Sequence, residues 1–249
     1  MFATFLSAPL TGFRWTSGED GVAVYRSSDS GHRPFCKHCG SVAPMIMPAI
    51  GIVFLFAGNL EGSLGIRPQM HIFAASRAGW FPITDALPQH AAYPPRFVGG
   101  TEVTRPPAPL LKPGVVQGSC LCGEVAWEFA GLPEILQNCH CSRCRRARSA
   151  AHATNAFYRK EQLRWTRGHD QVVSYALPCA KRFGQAFCGQ CGGKLPRVVE
   201  STGYVVAPCG SLDDAPGLTP LGHVFATSKA EWFEITDGLP QFEAYPARR

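Results

Sequence analysis

No stretch of this chain is apolar enough to cross a bilayer. The longest run, Ile52-Val53-Phe54-Leu55-Phe56-Ala57, falls far short of the about 20 residues a spanning helix needs, so no membrane contact is expected. The start, MFATFLSAPLTGF, has no basic residue ahead of its apolar part. It does not read as a secretory signal, and a cytoplasmic location is expected. Long runs rich in Ala, Glu, Lys and Leu are missing too, which argues against a helical protein. Charged residues make up only 17% of the 249 positions, against 45% hydrophobic ones. That is an ordinary globular composition, long enough for one large or two modest domains. What is plentiful is turn-forming residues, 26 glycines and 21 prolines, so a mainly β fold is expected.

Cysteine is also plentiful. There are 11, an odd number, and in a cytosolic chain paired cysteines signal metal binding rather than a disulfide framework. Seven fall into three motifs: Cys120 with Cys122, then Cys139, Cys141 and Cys144, then Cys188 with Cys191. They divide naturally into four plus three. Four thiolates close a tetrahedral zinc; three leave one position open, as catalytic zinc sites do. The formal net charge is +6, but seven bound thiolates outweigh two divalent ions by three charges. Bulk basicity is therefore weak support for a nucleic-acid partner.

Cys120, Cys122, Cys188 and Cys191 are the expected structural zinc ligands. Gly123 follows the first pair and Gly192 and Gly193 the second, and glycine lets the backbone turn tightly beside a metal. The competing reading of the Cys-x-x-Cys is a redox pair, which calls for a βαβ context that the sequence lacks. Cys139, Cys141 and Cys144 are the expected open site, suited to a soft exogenous ligand such as a thiol. The competing reading is a second closed site, with Cys179, Cys209, His140 or His152 as fourth ligand. Arg143, Arg145, Arg146 and Arg148 crowd this loop. They are either receptors for carboxylates of an anionic substrate or a solvated basic face. His71 and His223 read as hydrogen-bonded structural histidines, and Trp80 and Trp232 as core aromatics.

The chain also repeats itself. From Cys36 to Pro94 each residue aligns without a gap to the one 152 positions later. FCKHCG (35–40) matches FCGQCG (187–192), and WFPITDALPQHAAYP (80–94) matches WFEITDGLPQFEAYP (232–246). FRWTSG (13–18) resembles LRWTRG (163–168). A fixed offset means two copies of one folding unit. The first copy has neither the Cys-x-Cys nor the three-cysteine loop, so Cys36 and Cys39 lack local partners. Three explanations stay open: a metal-free packing partner, a start inside a longer gene, or ligands from another chain. The expected division is a truncated copy over 1–94, a Pro/Gly-rich linker over 95–114 and a complete unit over 115–249. Alternation and turn residues predict strands over 124–129, 150–158, 171–175, 182–187, 203–207 and 222–226 in small antiparallel sheets.

The motifs GSCLCGEVAW (118–127), CHCSRCRRA (139–147), NAF (155–157), RWTRG (164–168), FCGQCGGKL (187–195), GSLDD (210–214) and WFEITDGLPQF (232–242) together resemble the glutathione-dependent formaldehyde-activating enzyme family, whose domain also occurs in centromere protein V. The resemblance covers residues 115–246 in full and about 5–94 in truncated form. It implies a β-tent fold with two zinc ions, held by the two cysteine sets already named. It further implies glutathione as co-substrate, formaldehyde or a related aldehyde as its partner, and a carbon–sulfur lyase-type reaction giving S-(hydroxymethyl)glutathione. Arg143, Arg145 and Arg146 are then candidate contacts for the glutathione carboxylates. The rival reading is a zinc-stabilised binding or scaffold module without turnover, contacting nucleic acid through RCRRARS. Four arginines with little aromatic interleaving make a weak nucleic-acid signal. Self-association stays open.

Overall fold

The computed structural model describes residues 2–29, 31–94, 112–181 and 183–246. Most of the expected linker, 95–111, lies outside them, so that expectation stands where the sequence left it. Among the described residues the chain is mainly β, with seventeen strands and one short α-helix.

In the N-terminal part the strands are β1 (Phe5–Pro9), β2 (Val22–Arg26), β3 (His32–Cys36), β4 (Met45–Met47) and β5 (Ile52–Phe56). The C-terminal part has β6 (Val115–Ser119), β7 (Ala126–Ala130) and β8 (Ile135–Cys139), then α1 (Ser142–Arg148). β9 (Ala153–Arg159), β10 (Leu163–Arg167), β11 (Val172–Ala176) and β12 (Gly184–Cys188) follow. Last come β13 (Lys194–Leu195), β14 (Arg197–Val199), β15 (Tyr204–Pro208), β16 (His223–Val224) and β17 (Gln241–Phe242). Each strand expected from the pattern forms within a few residues of its predicted bounds.

The sheets are less uniform than expected. β10, β7 and β6 make one antiparallel sheet, and β11, β12 and β13 a second. A six-stranded sheet runs β14-β15-β9-β8-β16-β17, and its last two pairings, β8 with β16 and β16 with β17, are parallel. The expectation of small antiparallel sheets is therefore corrected. The parallel pairs join segments far apart in sequence, and no local turn signal announces such a pairing.

The core packs between these sheets. Trp127, Phe129, Leu136, Tyr158, Phe187, Leu195 and Val205 are all essentially inaccessible to solvent, and Phe129 stacks flat on Tyr158 at 3.8 Å. Gly118 is required where it stands, because an added Cβ would lie 2.4 Å from the Trp127 ring. Trp232 is buried and Trp80 partly so, packed against the main cluster, in line with their reading as core aromatics.

The N-terminal part pairs its strands in the order β1-β5-β4 and the C-terminal part in the order β9-β15-β14. These strands occupy matching places in the sequence repeat. One match fails. Residues 13–17, which align with β10, form no strand. β10 exists by pairing with β7, and β7 belongs to the portion the first half lacks. An extended segment without a ladder partner has nothing to satisfy its backbone.

The two halves meet through equivalent residues. A Cβ on Gly40 would strike Phe187 at 2.4 Å, and one on Gly192 would strike Phe35 at 2.5 Å. Thr84 and Thr236, 152 positions apart, share a hydroxyl–hydroxyl hydrogen bond of 2.6 Å. Lys194 Nζ donates to Gly40 O at 2.6 Å. Gly58 is buried against the end of α1, whereas its counterpart Gly210 is exposed.

Candidate metal centres

Two tight turns build the first cluster. Gly123 N–H closes on Cys120 O at 3.0 Å, and Gly192 N–H closes on Cys188 O at 2.9 Å. Both glycines take positive φ, 79° and 70°, a conformation a side chain would strain. These turns bring Cys120, Cys122, Cys188 and Cys191 together with all four sulfurs within 4.8 Å of one another. Cys120 and Cys122 Sγ lie 3.4 Å apart, and Cys122 and Cys188 Sγ 3.8 Å. Four sulfurs each about 2.3 Å from one zinc would sit about 3.8 Å apart, so the donor set fits a tetrahedral ion. Val125 N–H also donates to Cys120 Sγ at 3.3 Å, the kind of outer contact that steadies a thiolate ligand.

The thiols compete for charge. Hydrogen bonds from Cys188 and Cys191 hold Cys120 far below the usual thiol range. Burial pushes Cys122 up to about 12, and its hydrogen bonds to Cys120 and Cys188 push Cys191 well up. A divalent cation is what allows four such groups to ionise together.

The second cluster sits where β8 runs into α1. Cys139 ends the strand, Cys141 is the helix N-cap, and Cys144 lies in the first turn. Cys141 Sγ accepts from Cys144 N–H at 3.4 Å. The expected open loop is thus half strand end and half helix start. The helix escaped sequence reading because seven residues are too few to show a 3.6 period. The three sulfurs lie within 4.8 Å of one another, and among the described residues no fourth ligand atom of His, Cys, Asp or Glu joins them within that distance. Hydrogen bonds from Cys139 and Cys144 pull Cys141 down to about 2. Its bond to Cys141 pushes Cys139 up to about 12, and Cys144 is raised by both neighbours. The donor set is again soft and crowded with incipient negative charge, as a zinc site requires.

The four residues weighed as a fourth ligand lie elsewhere. Cys179 is exposed, and Cys209 is buried in the turn after β15. His140 and His152 enter a buried cluster of imidazoles. His140 Nε2 lies 2.7 Å from His223 Nδ1, and His223 Nε2 lies 2.9 Å from Asp237 Oδ1. An Nε2–H of His223 donated to the carboxylate leaves its Nδ1 to accept from His140 Nε2–H. Burial lowers His140 to about 3 and His152 well below its usual value, so both rings are neutral at pH 7. In the other half His71 Nε2 meets Asp85 at 2.9 Å. The reading of His71 and His223 as hydrogen-bonded structural residues therefore holds. Their partners went unrecognised, although the repeated ITD of 83–85 and 235–237 was the available signal. Between the two His–Asp pairs lies a cavity of about 40 Å³ walled by Phe2, Phe81, Phe233 and His152.

The arginines separate. Arg146 forms an ion pair with Glu61 of the N-terminal half. Arg145 Nε donates to His140 O at 3.3 Å. Arg148 Nη1 donates to Gln185 Oε1 at 3.1 Å. Arg143 is exposed, with its guanidinium 5.9 Å from the Phe183 ring centre. Of the three named as carboxylate contacts, Arg143 is the one that hydrogen-bonds a cluster thiol, Cys141, and helps to lower it.

Both clusters fall inside one region with known relatives. Residues 115–228 match the family model described as glutathione-dependent formaldehyde-activating enzyme. The matched region holds all seven cysteines and stops short of the N-terminal half. A crystal structure of a Rhodobacter sphaeroides protein is similar at 27% identity, over 42% of this chain and 91% of that one, with a TM-score of 0.33. No curated protein matches the chain. Among the described residues no helix is long and apolar enough to cross a membrane.

Proposed function

We propose that residues 115–246 are a zinc-binding β-tent domain that joins a thiol such as glutathione to formaldehyde or a related aldehyde. The reaction is of the carbon–sulfur lyase type, run toward S-(hydroxymethyl)glutathione. The observation that carries this reading is the three-sulfur cluster with no fourth protein ligand among the described residues, inside the family-matched region. Cys120, Cys122, Cys188 and Cys191 would hold a structural zinc, and Cys139, Cys141 and Cys144 a second one. That second ion would supply a place where an exogenous thiol is kept as its thiolate, the form only about 3% populated for a free thiol at pH 7.

The chain's own groups do the rest. β8 and α1 fix the three sulfurs on rigid elements. Arg143 offers an exposed cation for a substrate carboxylate. In the addition a carbon–sulfur bond forms, the carbonyl π pair moves to oxygen, and that oxygen takes the proton the thiol gave up. Holding thiol and aldehyde together supplies the advantage over the unaided reaction. Burial favours the neutral form of His140 and His152, which argues for solvent rather than either ring as the proton source. The test is formation of S-(hydroxymethyl)glutathione from glutathione and formaldehyde, followed by exchange spectroscopy. A rate at least tenfold above the uncatalysed addition is expected; a rate equal to it would overturn the reading.

The N-terminal half fits a truncated second copy that serves as a packing partner. Gly58 and Glu61 brace α1 from outside the matched region. A Cβ on Gly58 would lie 2.3 Å from Ala150 N and 2.7 Å from Arg145 O, so Gly58→Val must displace the helix. The expected cost is about 1–3 kcal/mol, and zinc should fall from two per chain to one while the four-cysteine site stays loaded. Two zinc retained per chain would show that this contact does not position the site. The nucleic-acid alternative gains nothing from the structure, since Arg146 is already paired with Glu61.

A further inference from the structure

The sequence left Cys36 and Cys39 without a role. Their turn is built like that of Cys188 and Cys191. Cys36 N–H donates to Ser41 O at 2.9 Å, as Cys188 N–H does to Gly193 O at 2.9 Å. Gly40 N–H closes on Cys36 O at 2.8 Å, as Gly192 N–H closes on Cys188 O at 2.9 Å. Both glycines have φ of 70°. Such a turn holds two thiols side by side. In the C-terminal half a second pair joins them. Here, among the described residues, Cys36 and Cys39 belong to no group of three or more ligands.

We propose that Cys36 and Cys39, although outside a βαβ setting, are a redox-active dithiol, closed to a disulfide by a small-molecule disulfide such as oxidised glutathione. Both are partly accessible, unlike Cys120, Cys188 and Cys191, which are buried. Cys39 Sγ lies 3.4 Å from Ser41 Oγ and faces the Cys36 thiol. Burial alone would raise Cys39, but hydrogen bonds from the Ser41 hydroxyl and backbone bring it below the ordinary thiol range, with Cys36 and the Lys194 ammonium adding to that. Lys194 donates to the carbonyls of Gly40 and Cys39 at 2.6 and 3.5 Å. Burial pulls Lys194 down to about 7, and in its protonated form it favours a Cys39 thiolate. Cys39 is therefore the attacking sulfur.

The chemistry balances as two exchanges. Cys39 thiolate attacks one sulfur of the oxidised glutathione, the old S–S bond breaks, and one glutathione thiolate leaves and takes up the proton Cys39 had shed. Cys36 then loses its proton and attacks the Cys39 sulfur of the mixed disulfide, and the second glutathione leaves as thiol. The protein loses two electrons and two protons; the small disulfide gains both.

The experiment uses the zinc-loaded full chain in glutathione buffers of graded oxidised-to-reduced ratio, quenched by alkylation and mapped by mass spectrometry. A reversible Cys36–Cys39 disulfide is expected, with two zinc per chain unchanged. Cys36→Ser should trap Cys39 as a mixed disulfide with glutathione, and Lys194→Met should slow that reaction about 3- to 10-fold. The proposal is overturned if the wild-type pair stays reduced at every ratio. It is equally overturned if a third zinc is present and is lost in Cys36→Ser/Cys39→Ser. Should either variant misfold, oxidation of the wild-type pair decides alone.

Discussion

Cys188→Ser is expected to leave little folded protein. Cys188 is wholly buried at the end of β12, and its cluster ties the β6–β7 turn to the β12–β13 turn. Those two hairpins belong to different sheets, so the metal would act as a cross-link between them. Zinc at a four-thiolate site in a small domain contributes about 10–16 kcal/mol to folding, while a whole domain is stable by only about 5–15 kcal/mol. Losing even about 5 kcal/mol would lower the melting temperature of a chain this size by roughly 10–20 °C. Serine cannot replace the thiolate, and its hydroxyl would be left buried in a core position. Thermal melting of the purified variant, with zinc measured on the same sample, checks this. A melting temperature within two or so degrees of the parent would refute the structural assignment.

Cys141→Ser should do the opposite, sparing the fold and removing the chemistry. Cys141 caps α1 through its sulfur, and serine is among the best N-cap residues. The helix start is therefore preserved, and the stability change should stay within about 1 kcal/mol. The cluster loses one of three thiolates. Zinc should drop from two per chain to one, and formation of S-(hydroxymethyl)glutathione should fall at least about 100-fold, as when an interaction made at the reacting centre is removed. Unfolding as complete as that expected for Cys188→Ser would make the second cluster structural. Full activity with one zinc would move the chemistry elsewhere.

These two outcomes rest on a partition of seven sulfurs that local spacing made visible. A Cys-x-Cys or Cys-x-x-Cys can hardly do other than present two thiols on one side of a turn, so each pair declared itself. Which pairs would meet was a longer inference. Cys120 and Cys188 are 68 positions apart, and only the meeting of two sheets brings them together. The strands were legible from alternation, and their turns from glycine and proline. The parallel pairing of β16 with β8 and β17 was not, because its partners carry no shared local signal. RWTSG of the first half looks like a strand by composition yet forms none, since the pairing strand is missing.

The arginines show the same limit from the other side. Four cations in a row suggested a receptor for anions, and sequence alone could not say that Arg146 meets Glu61 from the N-terminal half. Nor could it say that His140, flanked by two of the thiols, turns its ring inward to His223 and Asp237. What the sequence by itself determined is the local chemistry: the thiol pairs and triad, the turn-rich β character and the doubled pattern, all set by neighbours a few bonds apart. What only the tertiary structure decided is the company those groups keep. Gly58 under α1, Lys194 over the Cys36–Cys39 turn and the histidine chain behind the triad all depend on closing loops of tens of residues, and packing rather than sequence spacing fixes where such loops end.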